Sequence, residues 1–461
     1  MKRLLLAATL LAAPAFAEVP EVPKAAPFQA GAVPFGTADA AAVPGAPREN
    51  SVALARAGYV EEEYTLAGTA GGKPYVTRLL LRRPADAARF SGTIALEPLA
   101  DPGEPATLWN WTNAHSLANG DAWAGLTIRP SNLAGALKKA NGARYAALSL
   151  PDGVEATLLA QAAGWLRSAE GPLGKPGLLA RAEGLQGQVK LLVLGWGEGA
   201  CLASRFITSG GHAAATLPTG RPVVNGYLIQ ACPAAGPLPI PGNAPVIQVL
   251  TQSGFGADAL KVRQPDGNEP GRNRSRFYEL AGVADHAWAD LPQFQIAAFQ
   301  AKAPRLDCPQ PASRLPGNAH FLRAMLWSLD RWTRLGVQPP PAKPFETDET
   351  GGLKRDENGN VLGGTRPHWV ELATTKIAIS QGGAGLCSQM ARETPLPAER
   401  VAQRFQGRET YLEQVAQHLD GLVSSFQLRY LDAKDELDQL RAGSTAPKSS
   451  AFRGTTGGQD G

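Results

Sequence analysis

Val189 to Arg205, VKLLVLGWGEGACLASR, constrains this chain more than any other stretch. Val189 to Leu194 is a short apolar run rich in strand formers, which suits a buried strand. Gly195-Trp196-Gly197-Glu198-Gly199 then turns the chain, and Ala200 to Thr208 reads as the start of a helix. Strand, five-residue turn framed by glycines, helix: this is the setting of a nucleophile elbow, G-x-Ser-x-G. The outer glycines suit a strained turn packed closely against its strand and helix. The third position, where a serine would stand, is Gly197, so the frame is present without its reacting atom. An ordinary β-turn-α unit of a parallel sheet is the competing reading. A Walker loop is excluded for want of Gly-Lys-Ser/Thr, and the dinucleotide fingerprint for want of its third glycine spacing and its acidic partner.

The N-terminus bears on where such a protein works. Met1-Lys2-Arg3, an apolar run from Leu4 to Ala13 and Ala15-Phe16-Ala17 describe a secretory signal peptide over residues 1–17, with cleavage expected after Ala17. No later stretch reaches the roughly eighteen apolar residues of a spanning helix, so no transmembrane anchor is expected in the exported, periplasmic or extracellular chain. No cysteine follows the cleavage site, so no lipid anchor is indicated. The net charge of +4 is small for 461 residues, and Lys and Arg do not cluster. Nucleic acid and anionic membranes are therefore poor partners. Four cysteines, Cys201, Cys232, Cys308 and Cys387, are far apart and lack metal-ligand spacing. Export permits disulfides, and Cys308 with Cys387 is the favoured pair, both being in loop-rich surroundings. Cys201 and Cys232 then pair or remain buried thiols. No cofactor is implied.

In chain order, 18–57 is a Pro/Ala-rich extended leader. Strands are expected at Tyr59–Leu66, Tyr75–Arg83, Gly92–Glu97 and Ala122–Ile128, then at the elbow strand. Val224–Gln230, Pro245–Leu250 and Arg276–Gly282 follow. Helices are expected near His115–Asn119, at Ala134–Lys139 and at Thr157–Arg167. The alternation predicts an α/β fold with a mostly parallel central sheet flanked by helices. A core over 58–300 is followed by a helical and loop decoration over 301–442, and a Gly/Ser/Thr-rich, disordered tail over 443–461. Within the decoration, Asn318–Leu335 has helical periodicity and Pro339-Pro340-Pro341 stops it. Asp356 to Asn360 reads as a polar hairpin turn rather than a calcium loop, because the EF-hand spacing and closing glutamate are missing. Arg408–Arg441 is a long amphipathic helical stretch broken at Gly421.

Acyl-transfer hydrolases built on an elbow carry the triad in the order Ser, acid, His. Pro245–Leu250 is followed by Thr251-Gln252-Ser253-Gly254, and Arg276–Gly282 by Val283-Ala284-Asp285-His286. His286, one of six histidines, therefore stands where the triad histidine would. At this point the chain resembles the secreted bacterial alpha/beta hydrolase domain proteins, an esterase-like family, from about Gly58 to Ala433. The resemblance rests on Gly58-Tyr59-Val60-Glu61-Glu62-Glu63-Tyr64, Thr77-Arg78, Arg82-Arg83-Pro84-Ala85-Asp86 and Gly92-Thr93. It continues through Arg144-Tyr145, Arg263-Gln264-Pro265-Asp266, Glu279-Leu280-Ala281-Gly282, Asn358-Gly359-Asn360 and Gly363-Gly364. It implies an alpha/beta-hydrolase fold and a degenerate triad: Gly197 at the nucleophile position, Gly254 at the acid position, His286 retained. Glu198, Ser204, Ser253, Asp258 and Asp285 are near enough to substitute, although each reads first as a solvated loop or helix residue.

The resulting expectation is an exported pseudoenzyme descended from a carboxylic-ester-type serine hydrolase, with a small organic ligand or ester-like substrate as its candidate partner. An active hydrolase with an unorthodox nucleophile, and an envelope structural or ligand-binding protein, stay open as alternatives.

Overall fold

The computed structural model describes residues 19–28, 33–46, 51–180, 189–264, 266–269, 273–287, 291–303, 315, 317–379 and 390–443. The expected signal peptide, the tail from 444 onward, Cys308 and Cys387 lie outside them.

Ten strands form the main sheet: β1 (Lys24–Pro27), β2 (Tyr59–Ala70), β3 (Lys73–Pro84), β4 (Thr93–Leu99), β5 (Ala122–Thr127), β6 (Lys190–Gly195), β7 (Gly226–Gln230), β8 (Val246–Thr251), β9 (Gly267–Glu269) and β10 (Asn273–Leu280). Their order is β1-β2-β3-β5-β4-β6-β7-β8-β10-β9. From β5 to β10 neighbours run parallel, while β1, β2, β3 and β9 pair antiparallel at the two edges. Strand β6 lies inside the parallel block and, past the half-buried Lys190, is buried on both faces, which explains the apolar run Leu191–Leu194. Alternate side chains serve different layers: Leu191 and Val193 join one core, Leu192 and Leu194 the other.

Helix α1 (Thr107–Asn119) belongs to the second of these layers, and helices α2 (Glu155–Leu166) and α3 (Gly197–Thr208) to the first. The start of α1 is seated by Glu97, whose carboxylate accepts the Leu108 and Trp109 amides at 2.8 and 3.0 Å. Helix α4 (Ala319–Leu335) joins α1 in the second layer. It ends at Gly336, whose φ of +69° and N–H bond to Trp332 close it before the expected proline stop is reached. Beyond it, α5 (Ala398–Phe405), α6 (Arg408–Ser424) and α7 (Tyr430–Ala442) share a separate small apolar core. The break in this stretch is not at Gly421, which lies inside α6. It falls after Ser424, where Phe426 takes a left-handed φ of +56°.

The leader adds more than a surface strand. Beyond β1, Phe35 is buried in the main core, and its amide is bonded to the Tyr145 hydroxyl at 2.9 Å. Asp356 to Asn360 forms a hairpin turn, with the Asp356 carboxylate accepting the Asn358 and Asn360 amides. Of the two arrangements left open for Cys201 and Cys232, the observed one is a disulfide with 5.3 Å between Cα atoms. No described helix is long and apolar enough to cross a membrane.

Candidate functional site

The elbow forms where the sequence placed it. Strand β6 ends at Gly195 and α3 begins at Gly197, which has a φ of +52°. The flanking glycines are required by close approach. A Cβ on Gly195 would stand 2.8 Å from the Ala200 Cα, and one on Gly199 would stand 2.7 Å from the Pro98 carbonyl oxygen. These contacts seat α3 against the ends of β6 and β4.

The space over Gly197 is taken by Asp101. A Cβ built on Gly197 would lie 2.5 and 2.7 Å from the two carboxylate oxygens of that residue. Asp101 follows β4, the parallel neighbour of β6, so both chains emerge at the same end of the sheet. Its Oδ1 accepts the Glu198 amide at 2.9 Å. In an elbow, the amide of the residue after the nucleophile is an oxyanion-hole donor. The Gly197 amide is also committed, to Gln230 Oε1 at 2.9 Å. The Asp101 backbone is held by Asn132, whose Nδ2 donates to its carbonyl at 3.1 Å and to that of Leu99 at 3.2 Å. Burial pushes the Asp101 pKa up to about 6, against the lowering effect of the Glu198 amide.

Gln230 extends this network. Its Nε2 donates to Asp285 Oδ1 at 3.0 Å, and the Thr251 hydroxyl donates to the same oxygen. The Asp285 amide donates to Ser253 Oγ at 2.8 Å. Burial raises the Asp285 pKa, and bonds from Thr251, Ser253 and Gln230 act in the opposite direction. Asp285 is thus not a solvated loop residue. Ser204 is likewise buried, on α3. Glu198 and Asp258 do face solvent, paired with Arg129 and Lys261. Gly254 turns its amide to the Thr251 carbonyl at 3.1 Å, and a Cβ there would meet Leu250 at 3.2 Å.

His286 is buried. Its ring centroid lies 5.5 Å from that of Trp111, which stands perpendicular to Trp196 at 5.0 Å. Trp111 therefore packs on both the histidine and the residue preceding Gly197. The structure brings Gly197, Gln230, Ser253 and Asp285 into one hydrogen-bonded chain, with His286 next to its end. Sequence reasoning missed Asp101 and Gln230. A usable signal existed: both directly terminate or follow strands of the parallel block, at the carboxyl ends where ligands bind in such sheets. Among the described residues, no group of three or more His, Cys, Asp or Glu could hold a metal ion.

Among solved structures, a thermostable esterase from Pseudomonas putida is 12% identical, with a TM-score of 0.31 and coverage of 59% of this chain and 90% of that chain. The esterase Est22 is 11% identical, with a TM-score of 0.31 over 54% of this chain and 84% of that one. A serine hydrolase without lid from Xanthomonas campestris is 12% identical, with a TM-score of 0.29 over 51% and 90%. No curated protein matches the chain. The sequence model of the alpha/beta hydrolase domain matches residues 21–438, and with the parallel sheet and its strand-to-helix elbow already in place, the chain belongs to that family.

Proposed function

We propose that this is an exported alpha/beta-hydrolase-fold protein, descended from a carboxylic-ester-type serine hydrolase, that no longer performs serine catalysis. The observation that carries this reading is Gly197 at the tip of the elbow. The ancestral route needs a hydroxyl to attack the carbonyl, an imidazole to take its proton and free amides to receive the oxyanion. Here the hydroxyl is absent and the Glu198 amide is bonded to Asp101. Two sizeable cavities lie away from the elbow. One, of about 540 Å³, is lined by Ile207, His212, Ile240 and Asn243, and one of about 280 Å³ by Tyr64, Arg83, Trp165 and Lys175.

The test is a panel of p-nitrophenyl esters with a fluorophosphonate probe on the purified protein. The expected result is no labelling and no turnover above that of His286→Ala. Wild-type turnover that His286→Ala abolishes would refute the reading. One observation favours the alternative of an unorthodox nucleophile: a carboxylate, Asp101, stands in the space that a side chain on Gly197 would enter. That alternative requires turnover in the wild type and its loss in Asp101→Asn. Export is checked by mass spectrometry of the secreted chain, whose expected first residue is Glu18.

A further inference from the structure

We infer that Asp101 is an internal lock on the elbow: its carboxylate occupies both the space of the missing side chain and the amide that would receive an oxyanion. The inference deepens the loss of serine chemistry proposed above, and rests on it. It makes the loss twofold, because restoring a hydroxyl at position 197 would not by itself reopen the site.

Three independent contacts support it. The carboxylate overlies Gly197 closely enough that a Cβ there would sit 2.5, 2.7 and 2.9 Å from Oδ1, Oδ2 and Cγ. Its Oδ1 holds the Glu198 amide at 2.9 Å. Its main chain is fixed, with the Asp101 carbonyl accepting Asn132 Nδ2 at 3.1 Å and the Glu104 amide at 3.0 Å. A side chain at 197 could enter only if the Asp101 carboxylate swung off Glu198. Glycine at 197 and aspartate at 101 are therefore a matched pair. The charged groups around this carboxylate are Glu198, which raises its pKa, Arg129, which lowers it, and Glu97 of β4, whose own pKa Asp101 helps to raise.

The contact is read by NMR on the full chain labelled with ¹⁵N-glutamate, the Glu198 amide being assigned by its loss in Glu198→Gln. That amide should move between pH 5 and 8 with a midpoint near the Asp101 value of about 6, and Asp101→Asn should remove the movement. A Glu198 amide with the same chemical shift in the wild type and in Asp101→Ala would overturn the inference, since the carboxylate would then not hold it. The locking is read by fluorophosphonate labelling of Gly197→Ser with and without Asp101→Ala. Freeing one oxyanion donor should speed labelling by about a hundredfold. Equal labelling of the single and double variants would overturn the lock. So would a double variant that melts cooperatively yet stays unlabelled, since something other than Asp101 would then close the elbow. Ester turnover by the wild type, where residue 197 has no side chain, would count instead against the loss of catalysis itself.

Discussion

Asp101 is ionised at neutral pH in a place that disfavours its charge. Its pKa is raised to about 6 from an ordinary value of 3.8, chiefly by burial. For a raised acid, the stabilising contribution is full below the unfolded value and is lost as pH rises through the folded one. Asp101→Asn keeps an oxygen for the Glu198 amide and removes the charge. Its melting temperature should exceed the wild type's at pH 7.5, and the gap should close at pH 4, as calorimetry at both pH values would show. Gly197 is constrained from two directions, by its φ of +52° and by the carboxylate above it. Gly197→Ala should destabilise the fold by at least the roughly 1–3 kcal/mol of a left-handed non-glycine residue. Chemical denaturation of Gly197→Ala and Gly197→Ala/Asp101→Gly would separate the two causes, since the double variant retains only the backbone strain.

Helix α3 is tied to the strand that supplies Gln230. Cys201 lies on α3 and Cys232 two residues beyond the end of β7, with a sequence separation of 31. A loop of that size gives about 3–4 kcal/mol by the chain-entropy relation. Replacing both cysteines by alanine should cost about that much, measured by denaturant titration against the oxidised wild type. Buried acidic side chains of the C-terminal helices pair with residues of the rest of the chain. Glu436 of α7, fully buried, meets His320 of α4 and His368, the latter at 3.2 Å, and Asp432 pairs with Arg323 at 2.8 Å. Burial would raise the Glu436 pKa, but the two histidines more than offset it and take it down to about 2. Removing one partner of a buried pair costs about 3–5 kcal/mol. In Glu436→Gln, amide exchange along Tyr430–Ala442 should therefore quicken by roughly a hundredfold or more if that segment opens locally. Unchanged exchange would show that the apolar contacts of α7 alone hold it.

Across the whole molecule, buried acids and buried histidines set opposite pH limits. Burial raises Glu97 and Glu104 to about 7 and Asp121 to about 8. Their contribution is present below the ordinary carboxylate range and is lost as pH rises through those values. His115 is lowered to about 3 by burial first, then by Arg429 and Arg323, so its contact with Asp121 is not an ion pair at neutral pH. Its lowered pKa makes folding less favourable as pH falls below about 6.5. Between pH 6.5 and 8 the unfolded histidines become largely neutral and the raised acids dominate the slope, so stability should fall over that window. Asp121→Asn should flatten the decline, measured by melting temperature at half-unit steps of pH. Below about 4.5, loss of the Glu436 contribution adds to that of His115, and acid unfolding should be steep.

Much of this architecture could be read from residue order. Leu191 to Leu194 carries no polar residue because β6 is buried on both faces there, and the spaced glycines announce close packing at Pro98 and Ala200. Local chemistry of that kind is written in adjacent residues, so the strand-to-helix elbow and the parallel sheet were legible. Helix ends were less so: Gly336 closes α4 before the prolines do, and Phe426, a residue with no turn signature, breaks the last helical stretch where Gly421 does not. The lock on the elbow was not legible at all. Asp101 and Glu198 are separated by 97 residues, and Gln230 and Asp285 by 55. Only the pairing of β4 beside β6, and of β7 beside both β6 and β8, brings those strand ends together. A carboxylate following a strand has no assigned partner until the sheet order is known, and it is the sheet order that puts Asp101 over Gly197.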